Sequence, residues 1–230
     1  MSKQLSPQDL AIKYAELLAK NLSSQNEERM NAEAEIVRLK DTDEMYPQAL
    51  ACIATAWQGL QNSVAIRQFA AVLLRQYVDK HCNEVSDGSA QFVLSDTMKQ
   101  YLITFILPTL NEPNSEIRNA NANVLATISK FEWKTMWGQV LPALVVKLAS
   151  ADCNEVLGAL TVINSVCENA SEKEFFMCAE QFIPTLIQII RLPHSAAKCR
   201  MGAVECLSSC VTQIGYIGDA SFNAKVIYCF

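Results

Sequence analysis

Apolar residues recur along most of this chain at steps of three and four, the spacing that gathers them on one face of an α-helix. In "AIRQFAAVLLRQYVDKHC" (65–82), Ala70, Leu74 and Tyr77 fall on one face while Gln68, Arg75 and Asp79 fall on another. The pattern breaks at 23–26, 41–43, 61–63, 82–95, 112–115, 150–154, 169–173, 193–195 and 215–219. The stretches between the breaks have the length of ordinary helices joined pairwise by short turns. They predict helix pairs at 8–22/25–40, 44–60/63–81, 95–111/114–130, 134–149/153–169 and 174–191/195–213. No window alternates with period two for long enough to make a strand, so the chain reads as all-α.

The second helix of each pair repeats a template. Aligning 29–39, 67–77, 118–128, 156–166 and 200–210 puts Arg29, Arg67, Arg118, Val156 and Arg200 in the first position. Three residues on stand Ala32, Ala70, Asn121, Ala159 and Ala203, and seven on stand Ile36, Leu74, Leu125, Ile163 and Leu207. Ten on stand Leu39, Tyr77, Ile128, Val166 and Cys210. A second series, "ILPTL" (106–110), "VLPAL" (140–144) and "FIPTL" (182–186), puts a proline inside the preceding apolar helix.

Two helices per unit at a spacing near 40 residues mark HEAT repeats stacked into an α-solenoid. The fold expected is a right-handed superhelix of antiparallel helix pairs. The first helix (A) of each pair would line the outer surface and the second (B) the inner one. The small residue three after the arginine lets helices approach closely. The polar stripe Gln68, Arg75, Asp79 would then look inward. The pattern stops in mid-helix at "AKVIYCF", where a solenoid wants a polar cap, so the chain is expected to be a fragment of a longer one.

Composition narrows the function. Half of the 230 residues are hydrophobic, and seven glycines and seven prolines are few for a turn-rich β fold. The net charge of −5, from 19 basic and 24 acidic residues, argues against general nucleic-acid or anionic-membrane binding and suits basic partners. Nine cysteines, none in a Cys-x-x-Cys pair, fall mostly inside apolar helical patterns and read as reduced core thiols of a cytosolic or nuclear protein. The N-terminus has no apolar signal core, and no run approaches the ~20 residues that span a bilayer.

No phosphate loop, metalloprotease helix, nucleophile elbow or zinc-finger spacing is present. His81 and Cys82 are adjacent, but neighbouring positions on a helix diverge. Cys199, Cys206 and Cys210 near His194 read as packing rather than as a metal site. Trp133 and Trp137 lie four apart in "FEWKTMW" (131–137), on one helix face, and are expected to wedge between the third and fourth units. The chain is not expected to be an enzyme, and no cofactor is implied.

"NAEAEIVRLK" (31–40), followed one helix later by "IRQFAAVLLRQYVDKHC" (66–82), resembles the N-terminal domain of the importin-β (karyopherin) superfamily. The superfamily pattern is an Ala-Glu-x-x-Leu helix followed by Arg-Gln-x-Ala-x-x-x-Leu-Lys-Asn, ending near a tryptophan. Ala34-Glu35 or Ala32-Glu33, Arg67-Gln68, Ala70 and Leu74 match it; Arg75-Gln76 replaces Lys-Asn and Cys82 replaces the tryptophan. Within the superfamily, 65–81, 106–144 and 199–210 are most like the importin-nine receptors.

The resemblance implies HEAT repeats one to five and the start of a sixth over 1–230, with the importin-β N-terminal domain at about 29–105. It implies a nuclear transport receptor that shuttles between cytoplasm and nucleus and binds GTP-loaded Ran through inner B helices. It further implies contact with Phe-Gly nucleoporins through A helices and carriage of basic cargo such as the histone dimer, ribosomal proteins and actin, with no direct nucleic-acid or membrane partner. The inner-facing candidates for Ran are Glu35 and Arg38, then Arg75, Gln76 and Asp79, then Asn123, Thr127 and Lys130. The competing expectation is a HEAT scaffold of another class, such as a phosphatase regulatory subunit or an assembly factor.

Overall fold

The computed structural model describes residues 7–56, 62–82, 94–131, 137–169, 171–192 and 195–217. Ten α-helices follow one another among them: α1 (Pro7–Asn21), α2 (Asn26–Thr42), α3 (Tyr46–Ala54), α4 (Val64–Cys82), α5 (Asp96–Ile106), α6 (Ser115–Phe131), α7 (Trp137–Leu148), α8 (Cys153–Asn169), α9 (Glu172–Arg191) and α10 (Ala197–Ile217). No strand occurs among the described residues.

The chain divides into two compact units, 1–109 with 114–124, and 110–113 with 125–230. In the first unit α1 packs on α2 and on α3, and α3 packs on α4 and on α5. In the second, α7 packs on α8 and α9, while α10 lies against both α8 and α9. Within each unit the helices pack as antiparallel pairs, α1 with α2 and α3 with α4 in the first, α7 with α8 and α9 with α10 in the second. The fold is the all-α repeat architecture of HEAT and armadillo solenoids.

Local chemistry sets the helix starts. Ser95 Oγ accepts from Met98 N at 3.2 Å ahead of α5. Asn114 Oδ1 accepts from Glu116 N and Ile117 N at 3.0 and 3.1 Å ahead of α6, and Asp152 Oδ1 accepts from Asn154 N at 2.9 Å ahead of α8. Each satisfies amides that the first helical turn leaves without a partner.

Two predicted A helices are shorter than the sequence pattern. The 44–60 helix is α3, ending at Ala54. Thr55 Oγ1 donates to Ala51 O at 2.8 Å, and Ala56 takes a φ of 51°, the left-handed region that closes a helix rather than continuing it. The 95–111 helix stops at Ile106 and tightens into a 3₁₀ turn at Leu107–Asn111, because Pro108 has no N–H to continue the ladder. Pro142 and Pro184, by contrast, lie inside α7 and α9 as the repeat pattern expects. The Trp133 expectation lies outside the described residues.

The template governs the core. All fifteen residues at its third, seventh and tenth offsets are buried, from Ala32, Ile36 and Leu39 in α2 to Ala203, Leu207 and Cys210 in α10. Asn121 occupies the small-residue position of the third repeat and is fully buried, donating through Nδ2 to Thr109 Oγ1 at 3.0 Å. In two repeats the recurring arginine fastens the segment before its helix. Arg67 Nε donates to Ala54 O at 3.2 Å, satisfying a carbonyl at the end of α3, and Arg200 donates to Ser195 O. Gly158 permits the tightest approach: a Cβ there would stand 2.2 Å from Leu110 O.

Candidate functional site

The polar face of the B row in the first unit is built on α2 and α4. On α2, Arg38 grips Glu35 one turn earlier with two parallel bonds, Nε to Oε2 and Nη2 to Oε1, both 2.7 Å. That fork holds the Glu35 carboxyl below the usual carboxylate range. On α4, burial of Ala70, Leu74, Tyr77 and Val78 leaves Arg75, Gln76 and Asp79 exposed on the opposite side. Among the described residues, Arg75 and Asp79 take part in no ion pair. A charged side chain held in solvent without an internal partner can meet an external one at little desolvation cost.

Among the described residues one ion pair joins the two helices. Lys80 Nζ lies 3.2 Å from Asp41 Oδ1, linking the C-terminal end of α4 to that of α2. Beneath it runs a ladder of rings: Tyr14 against Tyr46 at 5.8 Å, Tyr46 against Tyr77 at 5.6 Å, and Tyr77 stacked on His81 at 4.2 Å between centroids. Tyr14 also donates to Asp43, and burial, followed by that bond, raises its hydroxyl pKa. The aromatic ladder sets the spacing of α1, α3 and α4, and so fixes where the exposed residues of α4 stand.

Sequence reasoning missed the acidic turn between α2 and α3. Asp41, Asp43 and Glu44 line a cavity of about 200 Å3 with Lys40 and Tyr77. Burial, and then the charge of Lys80, lower the pKa of the Lys40 ammonium. The signal was present in "KDTDE" (40–44), which the periodicity treats only as a break.

The remaining candidates sit on α6. Asn123 belongs to the first unit and is half-buried; Thr127, half-buried, and Lys130, exposed, belong to the second. Glu35 and Arg38 stand on α2 and Arg75, Gln76 and Asp79 on α4, two helices joined through Lys80 and Asp41.

Of the residues weighed for chemistry, His194 lies outside the described residues. The His81 ring stacks on Tyr77, and both His81 and Cys82 are buried. Cys199, Cys206 and Cys210 turn to different partners, respectively Cys153 Sγ, Leu160 O and Cys167 Sγ, and all three are buried. Among the described residues no three His, Cys, Asp or Glu side chains are grouped to hold a metal ion, and no helix is long and apolar enough to cross a membrane.

Comparison with known proteins places this architecture. No family model matches the chain. Importin subunit beta-2 of Schizosaccharomyces pombe is 25% identical over 209 residues, 89% of this chain and 22% of that protein. Importin-9 of Drosophila melanogaster is 28% identical over 105 residues, 44% of this chain and 10% of that protein. Both are named as importins. Yeast importin-β, Kap95p, shares the fold with a TM-score of 0.75 at 17% identity, over 95% of this chain and 26% of its own. A second structure, concerned with Kap95p binding and the switch loops of RanGDP, matches with a TM-score of 0.70 at 16% identity, over 95% of this chain and 28% of that one. The chain therefore spans between a tenth and somewhat over a quarter of the length of these relatives.

Proposed function

Starting from a chain that is a relative of the importin-β superfamily in sequence and in fold, we propose that it is the N-terminal arch of a nuclear transport receptor and binds Ran-GTP through its B helices. The observation that carries this reading is the exposed stripe Arg75, Gln76 and Asp79 on α4. It stands on a rigid aromatic ladder and is tied by Lys80 and Asp41 to the helix that bears Glu35 and Arg38. A receptor for a small GTPase needs a preorganised polar surface with charges not already used internally; Arg75 and Asp79 have that character, while Glu35 and Arg38 are held in their own fork. Asn123, Thr127 and Lys130 on α6 extend the proposed contact.

In the same reading the receptor shuttles between cytoplasm and nucleus, touches Phe-Gly nucleoporins through A helices and carries basic cargo of the histone, ribosomal-protein or actin kind. The net charge of −5 suits such cargo.

The test is a double charge reversal, Arg75→Glu with Asp79→Lys. Helical content and melting temperature should hold nearly constant, since exposed charges of this kind contribute about 0–1 kcal/mol. Capture on immobilised GTP-loaded Ran should weaken about tenfold, or about 1.4 kcal/mol, with GDP-loaded Ran as the reference. A folded double variant that binds Ran-GTP as the parent does would remove this face from the Ran site.

A further inference from the structure

We propose that Cys153 and Cys199 form a reversible disulfide that locks the first turn of α8 to the first turn of α10. Their sulfurs lie 3.0 Å apart, so about 1 Å of approach brings them to covalent distance. The Cys199 thiol also reaches Cys153 O at 3.7 Å, which holds it over its partner. Both residues line a cavity of about 170 Å3, with Leu148, Val156, Gln188 and Leu192. Cys199 is buried, whereas Cys153 is partly exposed and offers a small oxidant a way in.

The same unit contains its own control. Cys167 and Cys210 face each other across the same two helices, 3.6 Å apart. Both are buried, and the contact with Cys210 together with burial raises the Cys167 pKa far above the ordinary thiol value. A thiol reacts as its thiolate and only where an oxidant reaches it, so this deeper pair is the inert one. Cys206 is likewise sealed, its thiol donating to Leu160 O at 3.3 Å and its pKa pushed up to about 12 by burial. Reactivity therefore separates by position along α8 and α10.

The oxidant is a hydroperoxide. The Cys153 sulfur attacks one peroxide oxygen, the O–O bond breaks, and the sulfenic acid of Cys153 forms with release of one water when the peroxide is hydrogen peroxide. The Cys199 sulfur then attacks the Cys153 sulfur, the S–O bond breaks, and the departing hydroxide takes the Cys199 proton as a second water. Two thiols are oxidised by two electrons and one peroxide is reduced. A dithiol reductant reverses the change by exchange.

The test treats the full chain with substoichiometric hydrogen peroxide, blocks remaining thiols, and maps cross-linked peptides by mass spectrometry. The expected result is a Cys153–Cys199 cross-link forming at least about tenfold faster than any Cys167–Cys210 link, and lost on reduction with dithiothreitol. Cys153→Ser should abolish the cross-link, while Cys167→Ser, checked for an unchanged melting temperature, should leave it intact. The proposal is overturned if Cys167 and Cys210 link as fast. It is overturned equally if Cys153 in the unsubstituted chain proceeds to sulfinic acid without capturing Cys199.

Discussion

Adding a single methyl group at Gly158 should destabilise the protein, although the same change helps most helices. Gly158 lies in the first two turns of α8, where alanine is favoured over glycine by about 1 kcal/mol. The new Cβ would meet Leu110 O at 2.2 Å, Leu110 Cβ at 2.9 Å and Leu110 C at 3.0 Å. Two of those atoms are backbone, held by the 3₁₀ turn that Pro108 imposes, so they cannot swing aside as a side-chain tip would. Overpacking of this kind costs about 1–3 kcal/mol and sometimes more, which exceeds the propensity gain. The net expectation for Gly158→Ala is a loss of up to about 2 kcal/mol, lowering the melting temperature by up to about 8 °C for a chain of this size. Gly138 supplies the reference: a Cβ there meets nothing within 4 Å, so Gly138→Ala should be neutral or stabilising by up to about 1 kcal/mol. Gly202 falls between, its new Cβ meeting the movable tip of Leu160 at 3.0 Å. The measurement is urea unfolding of the three alanine variants in parallel. A Gly158→Ala protein as stable as Gly138→Ala would refute the close approach of α8 to the 107–111 turn.

Two further predictions concern the core and its rim. Leu74 is fully buried at the seventh template position, so Leu74→Ala should cost about 2–5 kcal/mol in urea unfolding; a loss well under 1 kcal/mol would show that the repeat register is wrong. Lys147 Nζ lies 2.5 Å from Glu155 Oε1 and bridges α7 to α8, and hydrogen bonds from Lys147 and then Ser150 depress the Glu155 pKa. A carboxyl depressed in the folded state adds stability above its unfolded pKa and loses it as pH falls through the folded value. Glu155→Gln should therefore reduce the drop in melting temperature from pH 6 to about pH 3, by an amount equivalent to less than about 1 kcal/mol. An unchanged acid slope in the variant would remove the bridge from the account.

Much of the architecture was legible because a repeat reports its core several times. One alanine at a given offset says little; the same template position filled by alanine in α2, α4, α8 and α10, all buried, defines a face. Departures arose where one atom outweighed periodicity. Nothing in the apolar pattern of 95–111 distinguishes Pro108 from Pro142, yet the first ends in a 3₁₀ turn and the second stays within its helix. The left-handed turn at Ala56 was equally silent, because alanine does not announce a positive φ as glycine would. For the candidate face, exposure of Arg75, Gln76 and Asp79 followed directly from burial of Leu74 and Tyr77. The Lys80–Asp41 pair did not, since it joins residues 39 positions apart, on different repeats.

That spacing bears on how the chain comes into being. Tyr14 reaches Asp43 across 29 positions, Cys52 reaches Tyr101 across 49, and Asn164 reaches Ser209 across 45. Each tie closes about one repeat after its first residue has been made, and none of these waits for a distant end of the chain. At ribosomal rates of about 5–20 residues per second, one repeat emerges in about 2–8 s, far longer than a helix needs to form. Within each unit a completed pair can therefore dock on the pair before it while the next is still being synthesised, which limits the apolar face that the growing chain exposes.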